Sequence, residues 1–160
     1  MDVQIRKIAW GAPKNIIAYH STKIGGWSNG AFKFSNMSLD VGDNPKDVKK
    51  NRDSMIKQLN LNTKPIFMKQ IHSATVRVAK SSTDNLVCDS CYTSVKGLPL
   101  AVLSADCLPI LISSNDGNKI WSVLERNSEA YKAGIGHSKI IDGTGKFEKL
   151  IGMQGRKERI

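Results

Sequence analysis

The sequence predicts a single α/β (α+β) domain, with a mixed multi-stranded sheet and few flanking helices. Three observations point that way. The 160 residues suit one domain and are enough to bury a real core. Short apolar runs bounded by turn residues recur along the chain, whereas only one stretch carries clear helical periodicity. No internal repeat, low-complexity tract or interdomain linker divides the chain. The domain is expected over residues 1–145. Residues 146–160 are basic, polar and broken by Gly152 and Gly155, and read as a weakly ordered tail.

The helix is predicted from Asn44 onward. Asn44 can cap it, Pro45 suits the first turn and Asp47 complements the N-terminal dipole. Val48, Met55, Ile56 and Leu59 then share one face as core packing, and Asn60 and Asn62 close the helix. Strands are expected near 15–20, 31–35, 66–71, 74–79, 85–88, 100–104, 108–113 and 119–124. Asn115-Asp-Gly-Asn118 is a hairpin signal joining the last two. Ala130 to Ile141 has helical character interrupted by Gly134 and Gly136.

The most apolar run, Leu100 to Ile112, carries an acid and a thiol at its centre, Asp106 and Cys107. An unpartnered carboxylate inside a buried strand costs several kcal/mol, so two strands with a sharp junction between them are expected. Pro109 supports the break, because it cannot donate to a central ladder. A second polar outlier, His72, ends the run Lys64 to His72, just before the alternating stretch Ala74 to Ala79. Imidazole and thiolate from two strand ends are good zinc ligands when they meet on one sheet rim. A structural cysteine and a hydrogen-bonded histidine are the ordinary alternatives.

Several segments resemble one family in order: Ser21-Thr-Lys-Ile-Gly-Gly-Trp-Ser28, Asn36-Met-Ser-Leu39, Val41-Gly-Asp-Asn-Pro45, Asn51-Arg52, Gln70-Ile-His72, Thr83 to Val87 and Ala105-Asp-Cys-Leu-Pro109. It is the laccase-domain family, once labelled multicopper polyphenol oxidase and now regarded as zinc-dependent purine nucleoside phosphorylase. The similarity runs from around Trp10 to Val123. Gln-x-His and Ala-Asp-Cys-Leu-Pro are specific together. The resemblance implies a single α/β domain with one zinc, for which His72 and Cys107 take two ligand positions. The family's third ligand is a histidine in a His-Ala-Gly-Trp-Arg-Gly motif. That position falls on Leu124, where Leu124-Glu-Arg-Asn-Ser-Glu129 stands instead. His137 is the one histidine downstream, and it reads as a loop residue.

The implied reaction is phosphate attack at the anomeric carbon of a purine nucleoside such as adenosine or inosine. Base and ribose 1-phosphate are the products, and adenosine deamination is a second outcome. Asp106 would orient a ligand or cap the turn, and Gln70 and Asn36 would line the nucleoside pocket or serve the strand ends. Family members continue with further strands, so a truncated or altered copy and a shortened paralogue are both expected alternatives. An inactive member that has lost its metal is one other function. A basic module binding RNA or another anion is a second.

The formal net charge is +10, from 24 Lys and Arg against 14 Asp and Glu, and the excess is spread over the chain. No compact basic arm appears, so nucleic acid is not the expected partner. No phosphate-loop pattern is present. No signal peptide or membrane span is expected, and three cysteines without a secretory signal indicate a reduced, cytoplasmic protein. Cys88-Asp-Ser-Cys91 reads as a coincidental pair in a loop, with accessory metal binding as the alternative.

Overall fold

A computed structural model describes residues 1–105, 107–125, 135–139 and 154–158. Among them lie ten short strands, one α-helix and a 3-10 turn. The order is β1 (Ile5–Lys7), β2 (Tyr19–Ser21), the 3-10 turn Gly30–Phe32, α1 (Pro45–Gln58), β3 (Ile66–Phe67), β4 (Val76–Val78) and β5 (Ser90–Thr93). There follow β6 (Leu100–Ala101), β7 (Leu108–Ser113), β8 (Ile120–Glu125), β9 (Ile135–Lys139) and β10 (Gln154–Glu158). The largest sheet has the order β4-β5-β8-β7. Its β4–β5 pair is parallel and the other two pairs are antiparallel. A second parallel pair joins β3 to β6, and an isolated parallel bridge links Lys69 to Val87. The architecture is therefore the mixed α/β arrangement expected. No helix among the described residues is long and apolar enough to cross a membrane.

The hairpin and the helix form where local chemistry placed them. Ser114 N–H donates to Lys119 O at 2.9 Å, and Gly117 adopts φ +68°, the left-handed conformation such a turn favours. The Asn44 side chain accepts from Lys46 N–H at 3.0 Å and caps α1, with Pro45 as its first residue. Pro109 lies on β7, an edge strand, where a missing N–H is tolerated.

Other expectations are corrected. The strand expected at 31–35 is replaced at its start by the 3-10 turn Gly30–Phe32, with Gly30 at φ +60° breaking any extended run. The strand expected at 85–88 is displaced to Ser90–Thr93, because β5 takes its register from β4 and β8 on either side. The helical reading of 130–141 gives way to a strand over Ile135–Lys139. Gly134 and Gly136 weaken a helix there by about 1 kcal/mol each. His137 therefore stands in a strand rather than a loop, opposite Arg156 of β10. Of the expected tail, Gln154–Glu158 is described, as that β10 partner. The strand β1 was not foreseen at all.

The buried face of α1 also differs from its apolar stripe. Val48 is fully buried, but its buried companions are Asn51 and Ser54, while Met55, Ile56 and Leu59 are only half covered. The reason is what α1 packs against: irregular backbone over residues 26–37, whose polar groups need partners. Asn51 supplies them. Its Oδ1 accepts from Trp27 N–H at 2.8 Å, and its Nδ2 donates to Ser28 Oγ at 3.0 Å and to Asn36 O at 2.7 Å. Gly26 makes the approach possible. At φ +89°, a Cβ there would sit 2.4 Å from Phe34 O and 2.8 Å from Asn51 Oδ1.

Asp43 extends this network, accepting from Asn36 Nδ2 at 2.9 Å and Asn44 N–H at 2.7 Å. Burial raises its pKa, but hydrogen bonds from Ser28, Asn36 and Asn44 more than reverse this and leave it below the ordinary carboxylate value. A lowered folded pKa means that Asp43 contributes stability in full above the unfolded value of about 3.9. That contribution is lost as the pH falls through the lower folded value. Urea denaturation between neutral pH and pH 3 should therefore show stability falling below about pH 4, with a shallower fall in Asp43→Asn. An identical acid limb in the variant would remove Asp43 from the effect.

The apolar core sits between β3, β5 and β6. Ile66, Ala79 and Leu98 form one cluster, and Met68, Cys88 and Cys91 form the next, with Leu86 and Leu100 packed against both. Cys91 thus lies in β5 and Cys88 in the bend just before it, both fully buried. Burial, and then the charge of Asp89, push the Cys88 thiol up, which disfavours the thiolate that metal binding needs. Among the described residues no three His, Cys, Asp or Glu side chains gather to hold a metal.

Candidate functional site

An open cleft of about 1350 Å³ runs across the molecule between the β1–β2 side, α1 and the ends of β3 and β6. His72, Gln70, Leu103, Ser104 and Cys107 contribute to its wall. The two expected ligands, His72 and Cys107, are both among the residues that line this cleft, although they are far apart in sequence. Asp106, between them in the expected scheme, lies outside the described residues, as does the side chain of His137.

One side chain, Gln70, brings the His72 and Cys107 segments together. Gln70 behaves like an extra backbone unit. Its Nε2 donates to Leu103 O at 2.9 Å while its Oε1 accepts from Leu103 N–H at 2.8 Å. The clamp continues the β3–β6 pairing beyond the last ladder bond and ties the segment before His72 to the segment before Cys107. Gln70 thus takes a strand-end role, since both ends of its amide are used. The Ser104 hydroxyl donates to Cys107 O, closing the turn that delivers Cys107 to β7. Asn36 also lines the cleft, but its amide is committed to Asp43 and to a local turn with Ser38.

Asp89 is the residue that sequence reasoning missed. It is only 3% exposed and accepts four hydrogen bonds from the His72 loop. Ile71 N–H and His72 N–H reach Oδ1 at 3.0 and 2.8 Å, and Ser73 N–H and Ser73 Oγ reach Oδ2 at 2.7 and 2.9 Å. Burial raises the Asp89 pKa, yet these donors outweigh it and hold the carboxyl below its ordinary range. His72 itself adopts φ +56°, a left-handed conformation that costs a non-glycine residue about 1–2 kcal/mol. The available signal was an acid between two cysteines, Cys88 and Cys91. Its acceptor role depends on a loop that only the fold brings alongside.

The donor chemistry can be tested against a metal directly. An imidazole and a thiol on one cleft wall suit zinc in type, because both bind it as neutral nitrogen and thiolate. His20 and Asp40 also line the cleft, but among the described residues no three such donors gather to hold an ion. A catalytic zinc usually has three protein ligands and an open position.

Mixed strands around one helix, with a nitrogen and a sulphur donor on one cleft, define a class of α/β domain with a candidate metal site at a sheet edge. Residues 17–123 match the family model described as multi-copper polyphenol oxidoreductase laccase, and the chain belongs to that family. It is similar to a Haemophilus influenzae protein named purine nucleoside phosphorylase, with 39% identity over 69% of this chain and 46% of that protein. Similarity to the Escherichia coli purine nucleoside phosphorylase YfiH is 33% over 69% of this chain and 46% of the relative. Among solved structures, Neisseria meningitidis protein NMB0706 superposes with a TM-score of 0.68 at 31% identity, over 75% of this chain and 49% of that one. YlmD from Geobacillus stearothermophilus gives a TM-score of 0.60 at 29% identity, over 65% of this chain and 43% of its own. The chain thus spans just under half the length of the named relatives it matches.

Proposed function

We propose that this chain is a zinc-dependent purine nucleoside phosphorylase of the laccase-domain family, with His72 and Cys107 as ligands. The observation that carries the reading is the placement of an imidazole and a thiol on one cleft in a chain whose relatives are named for this activity. Purine nucleosides and phosphate are the proposed substrates, adenosine and inosine among them, with adenosine deamination as a further outcome. The unoxidised Cys88, Cys91 and Cys107 fit a reducing, cytoplasmic setting.

When bound, zinc supplies Lewis-acid polarisation of an oxygen on phosphate or water. The chain's own residues do the rest. His72 would hold the ion through a neutral ring nitrogen and Cys107 as the thiolate. Gln70 and Asp89 hold the two loops that carry these donors.

Incubation of zinc-supplemented protein with adenosine and phosphate tests the reading. Adenine and ribose 1-phosphate are the expected products, with phosphate-independent hypoxanthine marking deamination. No product from folded, zinc-loaded protein would reject the catalytic assignment.

One observation favours a second reading. Leu124 to Glu129 replaces the segment that carries the third ligand in the resemblance, and no three donors gather among the described residues. An inactive member of the family would purify without zinc and would not gain activity when supplied with it.

A further inference from the structure

We propose that Asn29 is a site of spontaneous deamidation, at which the Gly30 backbone nitrogen displaces the side-chain amide and the product remodels one wall of the cleft. Asn29-Gly30 is the one Asn-Gly pair in the sequence. Glycine matters because it places no Cβ beside the attacking nitrogen. The fold leaves the pair open. Both residues are exposed, and a Cβ added at Gly30 would meet nothing within 4 Å. Gly30 begins the 3-10 turn, so its N–H has no partner inside that turn. The Asn29 side chain makes no capping bond, and its amide donates to Trp27 O at 2.9 Å, where water competes. Asn29 is extended, with ψ 173°, so a rotation about its Cα–C bond brings nitrogen and Cγ together.

Asp116-Gly117 could close the same ring, and it shows what protection looks like. Gly117 N–H donates to Ser114 O at 2.9 Å, and the Asp116 carboxylate accepts from Asn118 N–H at 3.0 Å and from Ser114 Oγ. A Cβ at Gly117 would lie 2.3 Å from Asn15 Oδ1, so that turn is also crowded. None of this guards Asn29.

The step needs only solvent. The Gly30 N–H gives its proton to solvent base, and the nitrogen bonds to Asn29 Cγ. The Cγ–Nδ2 bond breaks, and ammonia leaves with a proton from water. Water then opens the cyclic imide at either carbonyl, leaving aspartate or isoaspartate at position 29. The isoaspartyl main chain runs through Cβ and is longer by that carbon. The extra length falls between fixed points: Ser28 N–H donates to Phe34 O at 3.0 Å, Phe32 N–H to Asn29 O at 3.2 Å, and Asn51 Nδ2 to Ser28 Oγ at 3.0 Å. Phe32 and Phe34 line the cleft, so the strain is delivered to its aromatic wall.

The full chain is warmed in mildly alkaline buffer, and the tryptic peptide Ile24–Lys33 is followed by mass spectrometry, with isoaspartate read by enzymatic methyl transfer. This peptide should convert faster than any other asparagine-bearing peptide of the chain. Gly30→Ala should slow it about tenfold, because a methyl group then shields the nitrogen. Asn29→Gln should leave the peptide unconverted over the same period. An unchanged wild-type peptide, or equal rates in wild type and Gly30→Ala, would overturn the assignment. The converted chain, separated by cation exchange on its lost positive charge, is then compared with Asn29→Asp, which carries that charge on an ordinary main chain. The isoaspartyl fraction should unfold at a lower urea midpoint than Asn29→Asp. Coincident midpoints would show that the wall is not remodelled.

Discussion

Cys107→Ala should reduce the zinc recovered with the purified chain from about one equivalent to less than about a tenth, and His72→Ala should do the same. The effect is large because the described residues bring no set of three donors together to hold the ion without them. Removing either ligand leaves one protein atom to compete with six waters for the ion. Neither residue belongs to the buried core, since His72 is exposed and Cys107 only partly covered. The variants should therefore melt in the metal-free state close to the wild type. That separation gives the experiment its meaning: a metal deficit without a folding deficit. Metal analysis by mass spectrometry with a circular-dichroism melt measures both. Zinc retained at full stoichiometry in both variants would show that the ion, if one is held, sits elsewhere.

Asn51→Ala should cost about 3–5 kcal/mol of stability, far more than an average substitution. The side chain is fully buried and bonds three groups on a loop at least 15 residues distant in sequence. Its truncation strands the Trp27 N–H and the Asn36 carbonyl and leaves the Ser28 hydroxyl with Asp43, and each stranded group costs about 1–3 kcal/mol where water cannot replace the partner. Urea titration should show a lower midpoint with the slope unchanged. Asn51→Asp tests the geometry. It preserves the acceptor for Trp27 but places an oxygen against the Asn36 carbonyl, so it should be no better tolerated than alanine. A loss below about 1 kcal/mol in both would mean that the loop is held by something other than Asn51.

The same two regions show how far local chemistry reaches. Helix α1 was legible because its cap, its proline and its acidic first turn lie within four residues of one another, Asn44 to Asp47. The β7–β8 hairpin was legible because its turn residues are adjacent. Asn51 was not recognisable as a core residue, since its polarity suggests a solvated helix face. Only the irregular backbone packed against α1 makes an amide more useful there than a leucine. Cys88-Asp-Ser-Cys91 misled in the opposite sense. Two thiols at a redox-like spacing drew attention, whereas the residue between them holds the candidate site's loop.

The strand at 31–35 failed for another reason. Alternating apolar residues cannot be told from a 3-10 turn when a positive-φ glycine opens the segment. The strand β5 failed because its position is set by pairing with β4 and β8, not by its own composition.

What the sequence by itself determined is the class of domain, its helix, its main hairpin and the two side chains with metal-binding chemistry. These follow from periodicity, capping, turn residues and donor type, all properties of short stretches. The tertiary structure alone decided that His72 and Cys107 share a cleft, that Gln70 clamps Leu103 and that Asp89 holds the loop at His72. Each of these joins residues 16 or more apart in the chain. Hydrogen bonds and cavities at such separations depend on which strands pair and in what register, and one residue of slip would turn Asp89 away from the loop it holds.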